Sequence, residues 1–148
     1  MRTFEINTTV QASADKIQQN FTAELLLRLN PPFPPVKLLR YDGNAVGAVV
    51  ELELNLLLFK QRWVSRIVEA KSTKIEWYFV DEGTELPFFL KQWRHVHLVC
   101  QGLNSSTITD RISLSGPVWL PDFVLVLLFK ALMIYRRPVY RKVFGSVA

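Results

Sequence analysis

The sequence predicts an α+β fold: a curved seven-stranded antiparallel sheet around a long C-terminal helix, with two short helices after the first strand. Three observations predict it. Apolar residues alternate with period two in seven segments, six of them in series with no helical pattern between them. The joints between those six are short turns, which join antiparallel neighbours. After Gly116-Pro117 the period changes to that of a helix. One helix cannot cover the apolar face of so wide a sheet unless the sheet curls around it. Such a curl leaves room between the two.

The elements follow in order. Thr3 to Val10 puts Phe4, Ile6, Thr8 and Val10 on one face of a first strand. Ser13 can cap a short helix with Asp15 in its first turn, and Ile17 and Phe21 lie four apart on one side. Thr22 can cap a second short helix running to Leu29. Asn30-Pro-Pro-Phe-Pro-Pro forbids a helix and imposes an extended linker. Strands are then predicted at Val36–Tyr41, Val46–Leu58, Phe59–Ala70, Ile75–Val80, Lys91–Gln101 and Ser106–Leu114. Asp81 to Leu90 reads as a loop with Gly83 as a hinge, and Leu86, Phe88 and Phe89 make it the expected entrance. From Val118 to Tyr135 the residues Phe123, Leu127, Leu128, Ala131, Leu132 and Tyr135 suit one long helix, which Pro138 should end or kink.

Composition narrows the function. The chain of 148 residues suits a single domain over 1–148, and 49% hydrophobic against 21% charged residues argues for a packed core. The single cysteine, Cys100, allows no intrachain disulfide, and Met1 to Val10 lacks a continuous apolar run of signal-peptide length. A cytoplasmic location is expected. The net charge of +5 is spread along the chain apart from Arg136, Arg137, Arg141 and Lys142, so no nucleic-acid partner is expected. The glycines form no phosphate-binding loop, and no CxxC or HExxH spacing occurs.

The candidate chemistry lies in the last hairpin. Residues two apart on a strand share a face, so Trp93, His95, His97 and Val99 point together. A four-residue turn from Gly102 to Ser105 sets Val99 opposite Ile108, His97 opposite Asp110 and His95 opposite Ile112. Asp110 can then hold a His97 ring proton and raise its pKa. The other phase turns Val96, Leu98 and Cys100 inward and both histidines out. Trp63, Trp77, Phe79, Phe88, Phe89 and Trp93 are core aromatics or a pocket wall. Glu51, Glu53, Arg62 and Arg66 read as cross-strand ion pairs on the solvated face.

Leu29-Asn-Pro-Pro-Phe, Arg62-Trp-Val, Phe79-Val-Asp-Glu, Pro87-Phe, Trp93-Arg-His-Val-His, Thr109-Asp-Arg and Tyr135-Arg-Arg occur in that order. In them the chain resembles the START/polyketide-cyclase helix-grip superfamily, often called SRPBCC, and its bacterial ligand-binding subgroup in particular. The resemblance implies a helix-grip fold, a pocket for a hydrophobic ligand and inward-facing histidines. It implies no single reaction. Similar proteins have a glycine-richer opening to the last helix. Here Pro117-Val-Trp-Leu-Pro-Asp-Phe-Val-Leu-Val-Leu-Leu-Phe is bulky, and large side chains there would take up cavity space.

The expected function is non-catalytic binding of a small hydrophobic or amphipathic molecule, lipid- or polyketide-like, between sheet and C-terminal helix. Its expected contacts are Trp63, Trp77, Phe79, Phe88, Trp93, His95, His97, Asp110, Phe123 and Leu127. The alternative is a cyclase- or dehydratase-type enzyme with His97 and Asp110 as catalytic candidates. His-x-His with Asp110 has the donors for an ion, but no second shell is visible in the sequence, and neither metal nor cofactor is expected. The outer face of the last helix stays oily. It is a surface for peripheral membrane contact, with Arg136, Arg137, Arg141 and Lys142 toward anionic lipid, or for a homodimer.

Overall fold

The computed structural model describes residues 1–147. Seven antiparallel strands form one sheet in the order β1-β7-β6-β5-β4-β3-β2. These are β1 (Arg2–Val10), β2 (Val36–Tyr41), β3 (Val49–Asn55), β4 (Lys60–Ser72), β5 (Glu76–Glu85), β6 (Gln92–Gln101) and β7 (Ser106–Ser115). Each strand from β2 to β7 neighbours the next in the chain, as short turns require, and β1 closes onto β7. Between β1 and β2 lie α1 (Ala14–Gln19) and α2 (Ala23–Leu29). Ser13 Oγ accepts from the Lys16 amide and Thr22 Oγ1 from the Leu25 amide, so both helices start where the capping residues stand.

The C-terminal helix is two helices, α3 (Asp122–Ile134) and α4 (Arg136–Phe144). The predicted single helix breaks at Tyr135, three residues ahead of Pro138. Proline has no N–H to give the carbonyl four residues back, so the ladder is interrupted just before it rather than after. Pro138 therefore sits in the first turn of a helix instead of ending one.

A buried stripe runs down both helices: Leu125, Phe129, Met133, Arg136, Tyr140 and Phe144. It is not the stripe the sequence suggests. Phe123, Leu127, Leu128, Ala131 and Tyr135 are exposed, because α3 is apolar on every side and its periodicity carries little information about phase. That phase turns Phe123 and Leu127 outward, and the turn before α3 exposes Val118 and Trp119. The bulky opening of the helix therefore does not fill the interior.

Two local devices seat the helices. Gly116 approaches α3 so closely that a Cβ would stand 2.5 Å from Leu125 Cδ1, and its amide donates to Asp122 Oδ1 at 2.9 Å. At the other end Gln11 and Ala12 donate to the carbonyls of Gly145 and Phe144, tying the exit of α4 to the end of β1. Between these anchors α3 packs chiefly on β1 and β7, at one side of the sheet.

Two apolar clusters result. One gathers Val10, Ile17, Phe21, Leu25, Leu29, Trp77, Phe79, Val99, Tyr140 and Phe144 beneath α1, α2 and α4. The other gathers Phe4, Ile6, Trp93, Ile112, Leu114, Leu125, Phe129 and Met133 beneath α3. On the outer face Arg62 pairs with Glu51 and Lys60 with Glu53. Arg66 instead lies opposite Val49.

Candidate functional site

Because α3 leans toward β1 and β7, the concave face of β2 to β5 is left partly uncovered. The result is a cavity of about 520 Å³. Its walls are Val50, Leu52 and Leu54 of β3, Trp63, Ser65 and Ile67 of β4, and Leu125, Leu128, Phe129, Leu132 and Met133 of α3. Leu26 of α2 and Pro31 and Phe33 of the linker close one side. Leu120 lies at one end of α3 and Arg136 just past the other. By helical rise these ends are roughly 20 Å apart.

The Leu120 end is apolar, with Leu56 and Phe89 beside it. Each of these residues sits in a loop that also exposes large apolar side chains: Leu57, Leu58 and Phe59, then Phe88, then Val118 and Trp119. Phe88 lies 5.7 Å from Phe59 and 6.1 Å from Trp119 between ring centres, so the three loops meet. The predicted entrance loop is shorter than expected. Bulges against β4 let β5 continue to Glu85, and only Leu86 to Lys91 connects it to β6.

The Arg136 end is polar. The register of β6 on β7 pairs His95 with Ile112, His97 with Asp110 and Val99 with Ile108, so both histidines point inward. Asp110 is buried and its Oδ1 is a hub. His95 Nε2 lies 2.8 Å away, and His97 Nδ1 and Arg136 Nη1 each lie 3.3 Å away. His95 Nδ1 faces Asp81 Oδ2 at 3.2 Å, and Asp81 Oδ1 accepts from Trp93 Nε1 at 3.0 Å. Both ring nitrogens of His95 thus face carboxylates, an arrangement that favours the imidazolium. Burial pulls the His95 pKa down, but bonds to Asp110 and Asp81 outweigh it and the pKa rises. Burial likewise opposes charge on Asp110, yet Arg136 and the histidines hold it well below the usual carboxylate range. Arg136 is raised in turn, with burial outweighed chiefly by Asp110.

His97 differs. It has one bond, from Nδ1 to Asp110, and its buried Nε2 has no partner among the described residues. Phe21, Trp77, Phe79 and Tyr140 box it in, with Phe79 stacked at 5.0 Å. Burial, only partly offset by Asp110, lowers its pKa, so His97 is neutral. The sequence argument expected Asp110 to raise it. Inside this aromatic box desolvation wins.

The structure sorts the expected contacts. Trp63, Phe79, Trp93 and His95 line the cavity. His97 and Asp110 lie behind its wall, and Trp77 belongs to the filled cluster. Phe88, Phe123 and Leu127 are exposed and lie outside the cavity lining, by helix phase in α3 and by loop geometry at Phe88. Arg136 is a correction, since it is buried and bonded to Asp110 rather than part of a surface basic patch. Sequence reasoning missed Asp81 and Arg136 as cavity-lining groups. A signal for Arg136 existed, because the spacing Phe129, Met133, Arg136, Tyr140 continues one helical face.

Metal binding fits this donor set poorly. Ligand atoms of His95, His97 and Asp110 lie within 4.8 Å of one another, but Arg136 already occupies the same Asp110 oxygen. A metal ion would meet a guanidinium and an imidazolium.

Comparison with solved structures agrees with this architecture. A START superfamily protein from Mycobacterium smegmatis superposes with a TM-score of 0.66 at 12% identity, over 96% of each chain. XoxI from Bacillus cereus gives 0.68 at 18%, over 97% of this chain and 96% of that one. The Zhui aromatase/cyclase from Streptomyces sp. R1128 gives 0.60 at 16%, over 99% of both. The chain therefore has the helix-grip fold, shared with this START superfamily protein and this aromatase/cyclase. No protein-family profile and no curated protein matches the sequence. No helix among the described residues is long and apolar enough to cross a membrane.

Proposed function

We propose that this protein binds a small hydrophobic or amphipathic molecule, without transforming it, in the cavity between the sheet and α3. The cavity carries the reading. Its 520 Å³ falls within the range of about 300–1,000 Å³ typical of small-molecule sites, and its walls are apolar apart from a few convergent polar groups. Affinity comes from buried apolar area, at about 25 cal/mol per Å².

The state of the histidines favours binding over catalysis. His95 reaches the cavity, but carboxylates take both of its nitrogens. His97 has a free nitrogen but lies behind Phe21 and Phe79. A general base must reach the proton that it removes, and neither ring meets that condition. Native mass spectrometry of protein purified from its own cells tests the reading. The expected result is a co-purifying small molecule that leaves on collisional activation. Recovery of bare protein, with no uptake from lipid and polyketide libraries, would refute it.

A further inference from the structure

Arg136 holds a guanidinium at the wall of a mostly apolar cavity, with nine-tenths of the residue buried. A guanidinium has five N–H donors. Among the described residues it makes one hydrogen bond, from Nη1 to Asp110. Its polar protein neighbours are Asp110 and Tyr140, too few to take five donors, and the residue lines the cavity wall. A second donor, the side-chain amide nitrogen of the wall residue Asn30, is buried without a partner among the described residues.

Charge does not account for the fork. Asp81 and Asp110 carry two negative charges, and the His95 imidazolium and Arg136 carry two positive ones. The cluster is balanced; what is missing is hydrogen-bond acceptors. A planar group with two acceptor oxygens matches a guanidinium edge, and the carboxylate is that group. The chain's overall charge of +5 also favours an anion.

We propose that Arg136 anchors the carboxylate of an amphipathic acid whose apolar body lies along α3 toward Leu120. This rests on the binding reading above and adds the class of ligand and its direction. The head enters a polar end already fixed by Asp110 and His95. The tail lies against Leu52, Leu54, Leu128 and Phe129. Asp110 sets the guanidinium in place by the one bond that it takes.

Calorimetric titration with dodecanoate below its micelle concentration, and with dodecan-1-ol and methyl dodecanoate below their solubility limits, is the test. Dodecanoate is expected to bind at least about tenfold tighter than the other two, the scale of a hydrogen bond to a charged group. Arg136→Lys keeps the charge and loses the fork. It should weaken dodecanoate about tenfold and leave the alcohol unchanged, whereas a purely structural loss would weaken both. Should that variant not fold, the wild-type ratio of acid to alcohol still decides. Equal affinities for the three probes overturn the anchor and leave the cavity reading standing. No binding of any probe overturns the anchor, and bare protein with no uptake from the libraries overturns the cavity reading with it.

Discussion

The concave face of the sheet has two halves that use the same kinds of residue to opposite ends. Beneath α4 it is solid: α1 and α2 bring Ile17, Phe21, Leu25 and Leu29 down onto Trp77, Phe79 and Val99. Beneath α3 it is hollow. There only α2 and the linker after it reach one edge of the space, and α3 stands to one side on β1 and β7. The aromatic content is similar in both. What differs is the number of elements covering the strands, and the difference teaches that a cavity here is a matter of coverage rather than of small side chains. The break at Tyr135 marks the frontier, and the Asp110 cluster sits on it.

The sharpest way to break that contrast is to remove the frontier. Asp110→Ala strands the buried cations of His95 and Arg136, and loss of one partner of a buried pair costs about 3–5 kcal/mol. Urea unfolding should show this, and a loss below about 1 kcal/mol would mean that the cluster holds nothing together.

Truncations should then separate the halves. Ile17 is fully buried in the solid half and is not part of the cavity wall, so Ile17→Ala should cost about 2–5 kcal/mol. Leu128 borders the cavity and is 51% exposed, so Leu128→Ala should stay within about 1 kcal/mol. Equal losses in thermal melts would show that the cavity is not open in solution.

The smallest effect is one of pH. His97 is lowered in the folded state and ordinarily titrates near about 6.5. Below that value the unfolded chain takes up a proton that the folded one refuses, so stability falls as pH drops from about 7 to about 5. His95 is raised, so its contribution is complete below about 6.5 and is lost as pH rises through its folded value. His97→Asn should flatten the acid limb and spare the alkaline one. An unchanged acid slope in unfolding titrations would take His97 out of the account.

Much of this arrangement was legible in the chain. The turn from Gly102 to Ser105 fixed the register that brings His97 to Asp110, and Ser13 and Thr22 marked both helix starts. Other parts were hidden for physical reasons. Asp81 read as loop because the bulges that carry β5 past it leave no mark in the alternation. Arg136 read as one of four surface cations because burying it makes sense only once Asp110 is known to lie 3.3 Å away. Phe123 and Leu127 were misplaced because a helix oily on every side does not announce its inner face.

The four indoles are distributed so that the molecule carries its own optical gauge. Trp63 and Trp93 border the cavity, in edge contact at 4.8 Å, while Trp77 is locked in the solid half and Trp119 is bathed in solvent. A guest entering would alter the emission of the first two and leave the others as an internal constant, so occupancy can be followed without a label.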